Sequence, residues 1–160
     1  MKQTLHILVF TAILLTACNK EDIDQEKPVI NLAIQDSYPR NCDTLWLDES
    51  FTFKAMFTDN RELGSFSIEI HENFDHHSHS TEAIACELMP EKEPVNPFEF
   101  LKDYPIPEGL SRYDALVEIT IPQGNIKGDY DDGDYDLYIS LTDREGWSAQ
   151  KGLSVKLMRK

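Results

Sequence analysis

From Phe51 onward the chain alternates apolar and polar residues with a period of two, and nowhere does it hold a helical period for three turns. Phe51, Phe53, Ala55 and Phe57 fall on one face, with Thr52, Lys54, Met56 and Thr58 on the other. Phe66, Ile68 and Ile70 alternate with Ser65, Ser67, Glu69 and His71, and Ala115, Val117, Ile119 and Ile121 with Asp114, Leu116, Glu118 and Thr120. Tyr135, Leu137, Ile139 and Leu141 alternate with Asp136, Tyr138, Ser140 and Thr142, followed by Leu153, Val155 and Leu157. Shorter strands are expected at Val29 to Ile34 and Thr44 to Leu47. Successive side chains on a strand point to opposite faces, so each of these runs buries one side and wets the other. A chain of 160 residues, 41% hydrophobic, has the material for one such core. The pattern predicts an all-β immunoglobulin-like antiparallel sandwich over residues 28–160. Its exception is residues 72–112, with little alternation and five of the eight prolines, which reads as a long His/Pro-rich insertion. Within it, Thr81 to Met89 suits a short helix or an irregular strand.

The first seventeen residues stand apart from that domain. Lys2 supplies a positive start, Leu5 to Leu15 an apolar stretch too short to span a bilayer, and Leu15-Thr16-Ala17-Cys18 a small-residue cleavage site. This resembles a bacterial lipoprotein signal, which implies cleavage before Cys18 and lipidation of that cysteine. Asn19-Lys20-Glu21-Asp22 is similar to the tag that sends Bacteroidota lipoproteins to the cell surface. Residues 18–27, polar and closed by Pro28, read as a tether. The expected location is extracytoplasmic and lipid-anchored to the outer membrane, with the cell surface and the inner face of that membrane as the two alternatives. With a net charge of −14 and no basic run, nucleic acid is excluded as a partner, and the membrane is met through the lipid alone.

Four of the five histidines, His71, His76, His77 and His79, fall within nine residues. Neutral imidazole is the commonest protein ligand for zinc and copper, and a site needs three or four donors converging on one ion. In an extended chain His77 and His79 face one way and His76 the other, so His71, His77 and His79 are expected to form one set, with His76 outside it or reached through a turn. Asp75 is the expected carboxylate donor or the partner that orients an imidazole. The rival reading is a solvated or pH-responsive surface loop. Zinc or copper(II) fits such donors, whereas calcium is disfavoured. The run Asp129 to Asp136 has Ser140 at the twelfth position, where an EF-hand needs Glu, and reads as a charged turn. Asp59 and Asp143, in turns sharing the other end of the sandwich, are a still weaker calcium candidate.

Cys42 and Cys86 remain beyond the lipidated cysteine. In an exported chain such a pair reads as a disulfide pinning the insertion to the sandwich, with thiolate ligation as the alternative. No nucleophile motif is present and no catalytic residue is assigned, so the chain is expected not to be an enzyme.

The Lys27-Pro28-Val29-Ile30-Asn31-Leu32 start, the Asp59-Asn60-Arg61-Glu62-Leu63-Gly64-Ser65 run into His71, and the Asn73 to His79 block carry a family resemblance. Over most of residues 27–158 the chain resembles the Bacteroidota lipoproteins grouped as domain of unknown function 4625. That likeness implies a small extracytoplasmic sandwich and brings no established activity or ligand, so function rests on the residues. They point to a binding module that captures a transition-metal ion, with a possible outer-membrane protein partner of unknown identity. The alternative is a protein- or glycan-binding accessory domain whose histidine loop is part of a recognition surface.

Overall fold

The computed structural model describes residues 23–77 and 79–160. The expected signal at 1–17 and the lipidation site Cys18 lie outside the described residues. Ten strands follow one another: β1 (Val29–Asn31), β2 (Thr44–Trp46), β3 (Glu49–Thr58), β4 (Leu63–Glu72), β5 (Phe100–Pro105), β6 (Arg112–Ile121), β7 (Gly124–Asn125), β8 (Gly128–Asp129), β9 (Gly133–Asp143) and β10 (Ser148–Met158). Among the described residues there is no helix.

The strands form two facing sheets and a small hairpin, in the orders β1-β3-β6, β2-β10-β9-β4-β5 and β7-β8. All pairings are antiparallel except β2 with β10. The first strands therefore divide between the sheets, β1 against β3 and β2 parallel to β10, in the manner of the immunoglobulin sandwich. The period-two runs supply the core. Phe53, Phe57, Ile68, Ile70, Ile119, Leu137, Ile139 and Leu141 are fully buried between the sheets, and each such side chain contributes roughly 1.5–3 kcal/mol. Tyr135, at the start of β9, is buried as well, and its hydroxyl donates to Asp131 O at 2.7 Å and accepts Phe98 N–H at 3.1 Å. Burial pushes that phenol well above its ordinary pKa.

Three departures from the sequence reading have local causes. The first strand stops at Asn31, whose Oδ1 accepts Ala33 N–H at 2.8 Å and turns the chain. Thr81 to Met89 is neither helix nor strand. A strand unmarked by alternation, β5, pairs along β4 from Ile70↔Phe100 to Ser65↔Pro105. It is an edge strand, exposed over most of its length and ending in proline, which an edge tolerates because it needs no donor on its open side.

Residues 73–77 and 79–99 hold no regular strand, but bonds to Asp134, Asp136 and Gly152 lay them on the outer face of the β4-β9-β10 sheet. Hydrogen bonds fix them at short intervals: Asn73 N–H to Asp134 O, Thr81 N–H to Gly152 O and Lys92 N–H to Phe74 O. A disulfide joins Cys86 to Cys42, whose N–H donates to Ser154 O of β10. The acidic run fastens the same segment. Asp134 Oδ2 accepts Met89 N–H at 2.6 Å, Asp131 Oδ2 accepts Val95 and Asn96 N–H, and Lys92 pairs with Asp132. These carboxylates diverge to separate partners instead of ringing one ion.

Candidate metal centre

His71 closes the outward set of β4 and stands opposite Asp136 of β9 in the sheet register. The chain then leaves the strand at Asn73 and reverses. Phe74 drops into the core, 2% exposed, its ring edge-on to Tyr135 at 5.3 Å with the Lys92 ammonium over its face. His76 N–H donates to Asn73 O, and His76 adopts a positive φ of 60°, so the following residues return across β4 and β9. His79 N–H donates to Asp136 Oδ2 at 2.6 Å, which sets the segment directly on the sheet. Gly152 of β10 makes room for it: a Cβ there would lie 2.0 Å from His79 O.

The result is a group of four. One ligand atom from each of His71, His77, His79 and Asp136 lies within 4.8 Å of all the others. The rings of His71 and His77 are nearly parallel at 5.9 Å, and His79 stands edge-on to both at 5.3 and 5.1 Å. Asp136 is fully buried, while His77 and His79 are open to solvent. Both ring nitrogens of His71 are shut off from solvent and, among the described residues, have no hydrogen-bond partner. Glu69 Oε1 is 3.1 Å from His71 Nδ1, which permits an ion pair although the alignment is not that of a hydrogen bond. Asp136 Oδ1 has only long contacts, with Asn73 Nδ2 and Ser154 Oγ at 3.4 Å each.

Asp75 touches this group through His77, its Oδ1 in a short contact with His77 Nδ1. That hydrogen bond raises the His77 pKa and lowers that of Asp75. It also leaves Nε2 as the nitrogen of His77 available to an ion. His76 is turned elsewhere by its backbone: its Nε2 is 3.0 Å from Met89 O and its Nδ1 3.6 Å from Glu91 Oε1, so it staples the covering segment. Of the residues expected from sequence, the structure brings together His71, His77 and His79. It sets Asp75 behind them and His76 apart.

Asp136 is the member that sequence reasoning missed. The outward sets of β4 and β9 each show in the alternation, but only their register places an aspartate opposite His71. A further trace was present in the acidic run, where Asp134 and Asp136 occupy outward positions yet are 4% and 0% exposed because the segment covers them.

Fold and site together define a small immunoglobulin-like sandwich with a three-histidine, one-aspartate group on one outer face. The chain belongs to the family described as Domain of unknown function (DUF4625), whose model matches residues 16–158. Comparison with curated proteins finds no match.

Proposed function

We propose that this domain is a lipid-anchored, extracytoplasmic binding module that captures zinc or copper(II) through His71, His77, His79 and Asp136. The observation that carries this reading is His71, whose two buried ring nitrogens have no hydrogen-bond partner among the described residues and lie against three other donors. A polar group buried without a partner costs roughly 1–3 kcal/mol, which an arriving ion would recover. Tetrahedral zinc with bonds of about 2.0–2.1 Å needs donor atoms about 3.3 Å apart. The group, within 4.8 Å, would have to close by up to about 1.5 Å. His71 and Asp136 are held by strands, so the movement falls to His77 and His79 on the covering segment.

Four donors fill zinc's tetrahedron and leave no open position for a reacting water, which favours capture over catalysis. Asp75 behind His77 supplies the carboxylate that commonly orients a metal-bound imidazole. The Cys42–Cys86 bridge accords with an oxidising compartment. Strand β4 separates the group from the end where residue 24 meets Asn60, a span of about 33 Å over ten residues. An anchor at Cys18 would therefore present the metal end away from the membrane. Calorimetric titration with zinc and with copper(II) tests the reading, with saturable binding tighter than about 10 µM expected of three imidazoles and a carboxylate. Absence of such binding for both ions would overturn it and leave the loop as a recognition surface.

A further inference from the structure

At the opposite end of the sandwich, three acids from two distant parts of the chain converge. Asp24 lies just ahead of β1, Asp143 ends β9, and Glu145 is in the β9–β10 turn; one carboxylate oxygen from each lies within 4.8 Å of the others. Asp24 and Asp143 are 2% and 4% exposed. One oxygen of each is fully used. Asp24 Oδ1 accepts Glu26 N–H at 3.0 Å and Asn60 Nδ2 at 2.9 Å, and Asp143 Oδ1 accepts Gly146 and Trp147 N–H at 2.6 and 2.8 Å. The other oxygen of each, Oδ2, is buried and has no hydrogen-bond partner among the described residues. In the adjoining turn Asp59 Oδ1 is in the same condition.

Two buried carboxylates that face each other need either a shared proton or a positive charge between them, and with a third acid beside them a cation satisfies all three at once. Among the described residues Arg61 Nη1, 4.0 Å from Glu145 Oε1, sets one positive charge beside these three acids, a balance that a divalent ion would complete. All the donors are hard carboxylate oxygens with no nitrogen or sulfur among them, the ligand set of calcium rather than of zinc or copper. Nor is the group one contiguous loop. It needs the tether and the hairpin to meet, and a second contact holds them together, Trp147 Nε1–H to Asp24 O at 2.9 Å.

We infer that Asp24, Asp143 and Glu145 form a calcium site, distinct from the histidine group, that clamps the chain preceding β1 to the β9–β10 turn. Carboxylates from 24, 143 and 145 supply three ligands, and water completes the six to eight that calcium takes. Magnesium, which demands a tighter octahedron and gives up water reluctantly, is the poorer fit.

Trp147 is a reporter beside the site. Calcium titration of the full chain, followed by tryptophan fluorescence and by calorimetry, should saturate with a Kd of about 10⁻⁴–10⁻³ M, in the range of extracellular calcium modules. Asp24→Asn and Glu145→Gln should each weaken binding at least tenfold, and His77→Ala/His79→Ala should leave it unchanged. Glu145 is at the surface, so Glu145→Gln carries the test even if Asp24→Asn does not fold. No saturable calcium binding up to about 10 mM, or binding that survives Glu145→Gln unaltered, would overturn the inference.

Discussion

Replacing both bridged cysteines with serine isolates what the covering segment owes to its covalent tie. Cys42 and Cys86 are 44 residues apart, and their Cα atoms lie 5.3 Å from one another. Closing a loop of that size in the unfolded chain removes entropy equivalent to about 4 kcal/mol, the amount by which the bridge raises the unfolded state. None of the sandwich core is altered by Cys42→Ser/Cys86→Ser, and Cys42 N–H can still donate to Ser154 O. The loss should therefore appear as a lower urea midpoint worth about 3–4 kcal/mol with a larger m-value, since the unfolded chain becomes more expanded. At about 3 °C per kcal/mol for a chain of this size, melting should fall by about 10 °C. Reduction of the unaltered protein should reproduce the loss. Zinc affinity should change less than tenfold, because His79 and Thr81 keep their own hydrogen bonds to β9 and β10. A stability loss below about 1 kcal/mol would refute the loop-closure reasoning. A collapse of zinc binding at unchanged stability would show instead that the bridge acts on the site.

Asp136→Asn keeps the shape and the acceptor for His79 N–H but removes the charge, so calorimetry should show zinc affinity down at least tenfold, about 1.4 kcal/mol. His76→Ala, by contrast, should leave zinc affinity within a factor of about three, since its ring faces Met89 O rather than the group. Gly152→Ala should drive the segment off the sheet by its clash with His79 O, costing about 1–3 kcal/mol in a urea melt and most of the zinc affinity. The pH dependence has two opposite signs. A raised His77 pKa means that its pair with Asp75 stabilises the metal-free fold below the ordinary imidazole value and ceases to do so as pH rises through the raised one. Protons compete with the ion for the same ring, so zinc affinity should decline as pH falls through that raised value, and an affinity flat from about pH 8 to 5.5 would remove His77 from the ligand set.

The sandwich was legible because β3, β4, β6 and β9 each turn one apolar face to the core and a polar set outward, which prints into the sequence as alternation. Strand β5 left no such print: at the edge it buries little of either face. The same logic of facing separated His77 and His79 from His76 before any coordinates, since adjacent residues on an extended chain diverge. Asp136 required knowledge of which residue of β9 sits across from His71, and nothing in either strand alone encodes that register. Asp24 was less visible still. It lies in a stretch whose charges read as a solvated tether, and only the fold shows that Asn60 and Trp147 take hold of it.

The described residues between 73 and 99 have no repeating backbone geometry, yet Asp134, Asp131, Gly152, Tyr135 and the disulfide hold them at intervals. In a protease's terms such a stretch is not a loop. Cleavage requires several consecutive residues to peel into an extended enzyme cleft, and here nearly every short run is tied to the sheet beneath. The peptide bonds between Phe74 and Phe98 should consequently resist limited digestion about as long as the strands do, and give way only when β9 itself opens.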